Sequence, residues 1–107
     1  MGQGWPDTIL AFAPALRSCL ARADAAAYAT QAGPDAAGAV RVLLRAGDAV
    51  LECRVAGGAV QGWRILPDAP PPDPAAPVFF LDRRCVDARR VDAPDGSVLG
   101  WIAYPGC

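Results

Sequence analysis

The chain of 107 residues contains no histidine and no lysine; all ten of its basic residues are arginine. That absence removes a Ser-His-Asp triad, a Cys-His pair, a Ser-Lys dyad and a lysine Schiff base from the chemistry open to this chain, since each needs one of the missing side chains. Histidine metal sites go with them. The cysteines lie 34, 32 and 22 residues apart with no CxxC pair, unlike the close spacing of a zinc knuckle. No glycine pattern follows a strand and opens a helix, so a phosphate cradle is not indicated. No window approaches the roughly 20 apolar residues of a membrane span. The net charge of −1 and the sequence pI of about 5.1 lack the basic excess of a nucleic-acid binder. The sequence therefore points to no metal, no cofactor, no nucleic acid and no membrane span.

Large apolar residues are also scarce. Of the 57 apolar residues 23 are alanine, and Leu, Ile, Val and Phe together number 24, only just above the level at which chains tend towards disorder. A single domain over 1–107 with so lean a core gains much from crosslinks. Four cysteines in so short a chain predict two disulfides and an oxidising compartment. The expectation is a periplasmic or secreted bacterial protein whose leader has been removed. The apolar run Ile9 to Leu16 is not that leader, because Asp7 and no Arg precedes it.

The segment 40–66, VRVLLRAGDAVLECRVAGGAVQGWRIL, organises the rest. Apolar and polar residues alternate between two glycine turns, the pattern of a three-stranded antiparallel meander. A Gly47-Asp48 loop sets Leu44 opposite Leu51, Val42 opposite Cys53 and Val40 opposite Val55. A second loop over Gly57 to Ala59 aligns Cys53 with Trp63 and Leu51 with Ile65, keeping one apolar stripe intact. The predicted core face is Val40, Val42, Leu44, Leu51, Cys53, Val55, Trp63 and Ile65. Arg41, Arg45, Glu52, Arg54 and Arg64 fall on the other face with Leu43 and Val50, and that face is expected to be solvated.

Before the meander, Asp7 is a cap signal, and Ile9, Phe12, Leu16, Cys19 and Ala23 recur at helical spacing. Pro14 makes this helix either bend or begin at that point. Tyr28 to Gln31 reads as a short edge strand. Beyond the meander, six prolines in the eleven residues 67–77 predict an extended connector. Val78 to Leu81 is a short strand, and Cys85 to Val91 with Ser97 to Tyr104 forms a last hairpin through Ala93-Pro94-Asp95-Gly96. The fold class is α+β: an N-terminal helix packed on an antiparallel β-meander with a C-terminal hairpin, stapled by two disulfides. Packing favours Cys19 with Cys53 across the helix-sheet interface, which leaves Cys85 with Cys107.

Candidate functional residues cluster late. Arg83, Arg84, Arg89 and Arg90 stand among Asp82, Asp87 and Asp92, and four guanidinium groups suit a partner's carboxylate or phosphate. Each tryptophan follows a glycine, and Trp101 alternates outward on the last strand, where an exposed ring anchors a partner. Arg83, Arg84, Arg89, Arg90 and Trp101 are the expected binding surface. The leading expectation is a small exported bacterial domain that binds a protein partner in the cell envelope, including as an inhibitor of a hydrolase. Two alternatives stand beside it: a carboxylate-dependent hydrolase using Asp82 and Asp87, and a carrier holding a small apolar ligand between helix and sheet.

Overall fold

Helix α1, Trp5–Arg22, presents Ile9, Ala13, Leu16, Cys19 and Leu20 to the interior, one face at i, i+4, i+7 spacing. The computed structural model describes residues 5–23, 26–68, 70 and 73–106. The helix bends as Pro14 dictates: Phe12 leaves helical geometry at φ −123°, ψ 20°, because a proline ring crowds the turn before it. Asp7 lies inside the first turn, where its charge meets the positive helix end.

Among the described residues seven strands follow: β1 Tyr28–Pro34, β2 Val40–Ala46, β3 Ala49–Ala56, β4 Ala59–Ile65, β5 Val78–Phe80, β6 Arg89–Asp92 and β7 Val98–Ala103. They form one sheet in the order β4-β3-β2-β1-β5-β7-β6, with antiparallel pairing throughout. The meander and the last hairpin are thus two halves of a single sheet, joined by β1. This corrects the expectation for Tyr28 to Gln31, which lies in a seven-residue central strand. Small and polar residues gave that strand a weak signal, and its place comes from pairing with β2 and β5.

The first hairpin has the expected register, Val40↔Val55, Val42↔Cys53 and Leu44↔Leu51. In the second, Cys53↔Trp63 and Leu51↔Ile65 also hold, but through a different turn. Gly57 and Gly58, at φ 59° and 79°, make a two-residue loop between Ala56 and Ala59. A bulge at Gln61 then restores the alternation that the three-residue loop was expected to supply, as an inserted residue shifts parity by one. In the final hairpin Gly96 N–H donates to Ala93 C=O at 2.9 Å, and Asp95 accepts from the Ser97 amide.

The core lies between α1 and one sheet face. Ile9, Leu16, Val42, Leu44 and Phe79 are fully buried there, each burial contributing roughly 1.5–3 kcal/mol. Cys19 and Cys53 are bonded across this interface, with Cα atoms 6.1 Å apart. The described residues contain this one disulfide and not the expected two; the second expected pair includes Cys107, which lies outside them. Trp63 and Ile65 depart from the expected core, standing 38% and 64% exposed, because α1 packs chiefly on β1, β2 and β3 and leaves the far edge largely uncovered. The other face has its own small cluster. Val78, Phe80 and Ala103 are buried against Tyr28, Cys85 and Ala88, and the Tyr28 and Phe80 rings meet at 5.3 Å.

That face is not simply solvated either. Glu52 is buried at 7% exposure, accepting hydrogen bonds from Arg41 on β2 and Arg64 on β4. The Arg41 bond, with the charge of both arginines, holds the Glu52 carboxyl below its ordinary value of 4.5 against the opposing effect of burial. A carboxylate depressed in the folded state stabilises fully above its unfolded pKa and loses that contribution as pH falls through the folded one. Melting temperature is therefore expected to decline as pH drops below about 4.5. Glu52→Gln is expected to lower the neutral-pH melting temperature and flatten part of this acid limb, as thermal scans from pH 7 to pH 2.5 would show. Asp35 keeps some of the limb: burial raises its pKa, but bonds from Arg54 and the Ala37 and Ala39 amides outweigh it and leave it lowered.

Candidate functional site

Between β5 and β6 the chain makes a short loop, residues 81–88, that the sequence reading placed partly in a strand. Its apolar members divide. Cys85 and Ala88 turn inward onto the second cluster, and an Ala88 N–H to Cys85 C=O bond of 3.1 Å closes the turn. Val86 at the tip points out and is 84% exposed, more than any other large apolar side chain among the described residues.

Two arginines brace that tip. Arg83 donates from Nε to the Cys85 carbonyl at 3.5 Å and from Nη2 to the Val86 carbonyl at 3.2 Å. Its guanidinium also stands 5.7 Å from the centre of the Trp101 ring. Arg84 lies 4.9 Å from the Phe80 ring centre, with Nε 2.9 Å from Asp82 Oδ1 in an ion pair that lacks hydrogen-bond alignment. Each cation-ring contact is worth about 0.5–1 kcal/mol at a partly exposed site. Together they fix the loop on the outer face of the sheet, where Phe80 pairs with Trp101 and Trp101 with Arg90.

The four arginines consequently do not converge on one anion. Arg83 and Arg84 are used by the loop and its aromatic supports. Arg90 is 3.0 Å from Asp92. Arg89, the adjacent residue on β6, points to the other face and has no polar partner among the described residues. Trp101 is half-buried beneath Arg83 and faces away from the helix, as strand alternation predicted. The glycine before it serves another ring: a Cβ at Gly100 would lie 2.3 Å from Phe79. Val86 is the residue that the sequence reading missed. Its signal was a lone branched apolar side chain inside a run of charge, and assignment to a strand absorbed it.

A cleft of about 790 Å³ opens along β6 and β7, with Cys85 and Asp87 of the loop also in its wall. Trp5, Leu10, Val91, Ile102 and Tyr104 line it with Arg89, and the Trp5 indole N–H, bonded to the Pro77 carbonyl, holds its upper rim. Asp87 also lines this cleft; Asp82 does not. This cleft therefore does not bring together the two carboxylates expected for hydrolysis. Among the described residues there is no group of three or more acidic or cysteine side chains suited to a metal, and no helix is long and apolar enough to cross a membrane. No family model matches the chain, and no curated protein and no solved structure matches it.

Proposed function

We propose that the chain is a non-enzymatic protein-binding domain of an oxidising compartment, periplasmic or extracellular, whose contact is the braced loop 81–88. The second disulfide, Cys85 with Cys107, belongs to this proposal. The observation that carries the reading is Val86, 84% exposed at the tip of a loop whose carbonyls Arg83 holds. An apolar side chain on a preordered loop binds without the entropic cost of ordering that loop, which raises affinity for a partner pocket of matching size. A small branched side chain suits a narrow apolar pocket such as a hydrolase specificity site, and the inhibitor reading rests on that fit.

The test is capture from envelope extract with the intact, oxidised chain, followed by binding of the purified captured protein to variants. Val86→Asp is expected to weaken that binding by about 100-fold, corresponding to a hot spot near 2–3 kcal/mol, with an unchanged melting temperature. Trp101→Ala is expected to weaken it less by loosening Arg83, whereas Leu10→Ser in the cleft leaves it intact. Activity of the captured protein with and without the chain then decides between inhibition and simple attachment. Binding indifferent to Val86→Asp, or lost in Leu10→Ser, overturns the assignment of the loop.

A further inference from the structure

Strand β6 divides its charges between the two faces of the sheet. Arg89 pairs with Ile102 and Arg90 with Trp101, so Arg89 stands on the face that carries the main core and Arg90 on the outer one, since neighbours along a strand alternate. Arg90 is matched by Asp92 at 3.0 Å. Arg89 instead shares its face with Val91 and Ile102, which pack on the main core, and its side chain makes no hydrogen bond or ion pair among the described residues.

The cleft of about 790 Å³ that Arg89 lines falls in the size range of small-molecule sites, which combine an apolar wall with a few polar groups. Leu10 of α1 and Tyr104 after β7 line it too, and they are left 47% and 57% exposed. The charges of the wall do not cancel in place. Arg90 and Asp92 neutralise each other, but Asp87 and Arg89 both border the cleft and pair neither with each other nor with any other described side chain. Two separate opposite charges beside an apolar wall match a ligand that carries both signs and apolar groups between them.

We infer that this cleft binds a dipeptide or tripeptide with free ends and apolar side chains, its carboxylate held by Arg89 and its ammonium group by Asp87. A guanidinium takes a carboxylate through two parallel hydrogen bonds. Asp87 and Arg89 are two residues apart, so their Cα atoms lie within about 7 Å, roughly the span of an extended peptide of two residues. Other small ligands match the wall less well. A free amino acid carries both charges but fills little of the cleft, a fatty acid fills the apolar part but leaves Asp87 unmatched, and a phosphate compound meets Asp87 as a like charge. The wall includes Cys85 and Asp87 of the loop but not Val86, so this site is separable from the protein contact proposed at the loop tip.

Titration calorimetry of the intact, oxidised chain with leucyl-phenylalanine tests the site, beside the N-acetyl and C-amide forms of that peptide and decanoate. The peptide with both ends free is expected to bind tightest, and blocking either end to weaken it about 10-fold, the scale of one charge-assisted bond at an exposed site. Arg89→Gln is expected to remove the penalty of amidation and keep that of acetylation; Asp87→Asn is expected to do the reverse. Leu10→Ser weakens every form alike. Val86→Asp changes none of them, which separates failure of this site from failure of the loop. All four variants replace exposed side chains and are expected to keep the melting temperature. Absence of binding by any form of the peptide overturns the inference, as does decanoate binding as tightly as the free peptide, or an amidation penalty that persists in Arg89→Gln.

Discussion

Replacing Cys19 or Cys53 by alanine is expected to lower the stability of the protein by about 3 to 4 kcal/mol, from the chain-entropy cost of the 34-residue ring. Against a total of roughly 5–15 kcal/mol for a domain of this kind, that is a large share. Melting temperature should fall by roughly 15–25 °C. The effect is large because the bridge sits at the centre of the molecule, both cysteines being fully buried, and it joins the only described helix to the sheet that covers it. Urea titrations of oxidised wild type and of both single variants measure it. The double variant should match the singles to within about 1 kcal/mol, since one substitution already opens the ring. A loss below about 1 kcal/mol would mean that apolar packing alone secures α1.

Gly100→Ala carries the second large effect. A methyl group there would stand 2.3 Å from both Cε1 and Cζ of Phe79 and 2.6 Å from the Phe80 carbonyl oxygen. Neither neighbour has room to retreat: Phe79 is fully buried in the main core, and the Phe80 carbonyl belongs to the β5 backbone paired with β7. Overpacking of a close-packed core costs about 1–3 kcal/mol, and contact with fixed backbone puts this site at the upper end, about 3 kcal/mol. Thermal or urea unfolding of the single variant checks the loss. Phe79→Leu in the same chain is expected to restore only part of it, because the ring clash disappears and the carbonyl clash stays. Full restoration would show that the strand backbone yields more readily than its pairing implies.

Much of the meander was legible because strand alternation carries register information. Val40, Val42 and Leu44 find their partners by parity, and Cys53 reaches Cys19 because both lie on apolar stripes that must face each other. The Gly57 turn was read one residue too long for a physical reason: a longer loop and a bulge repair parity equally well, and only the backbone distinguishes them. Trp63 and Ile65 obey the same alternation yet stand exposed. Alternation assigns a face, but what covers that face depends on the length of α1 and where it lies. Val86 was illegible in the opposite sense, since a valine beside Cys85 in a charged run has no periodicity to mark it.

Residue types and spacing alone carry the lack of histidine and lysine, the α+β character, the register of β2, β3 and β4, and the outward turn of Trp101. These follow from residue type and local period, which act over a few neighbouring positions. Only the folded chain places β1 at the centre of one seven-stranded sheet, buries Glu52 between two arginines, sets Arg83 and Arg84 to brace a loop, and leaves β4 at an edge. Each depends on residues distant in the chain meeting across strands. Those meetings are set by how a limited apolar area is shared between one helix and two sheet faces.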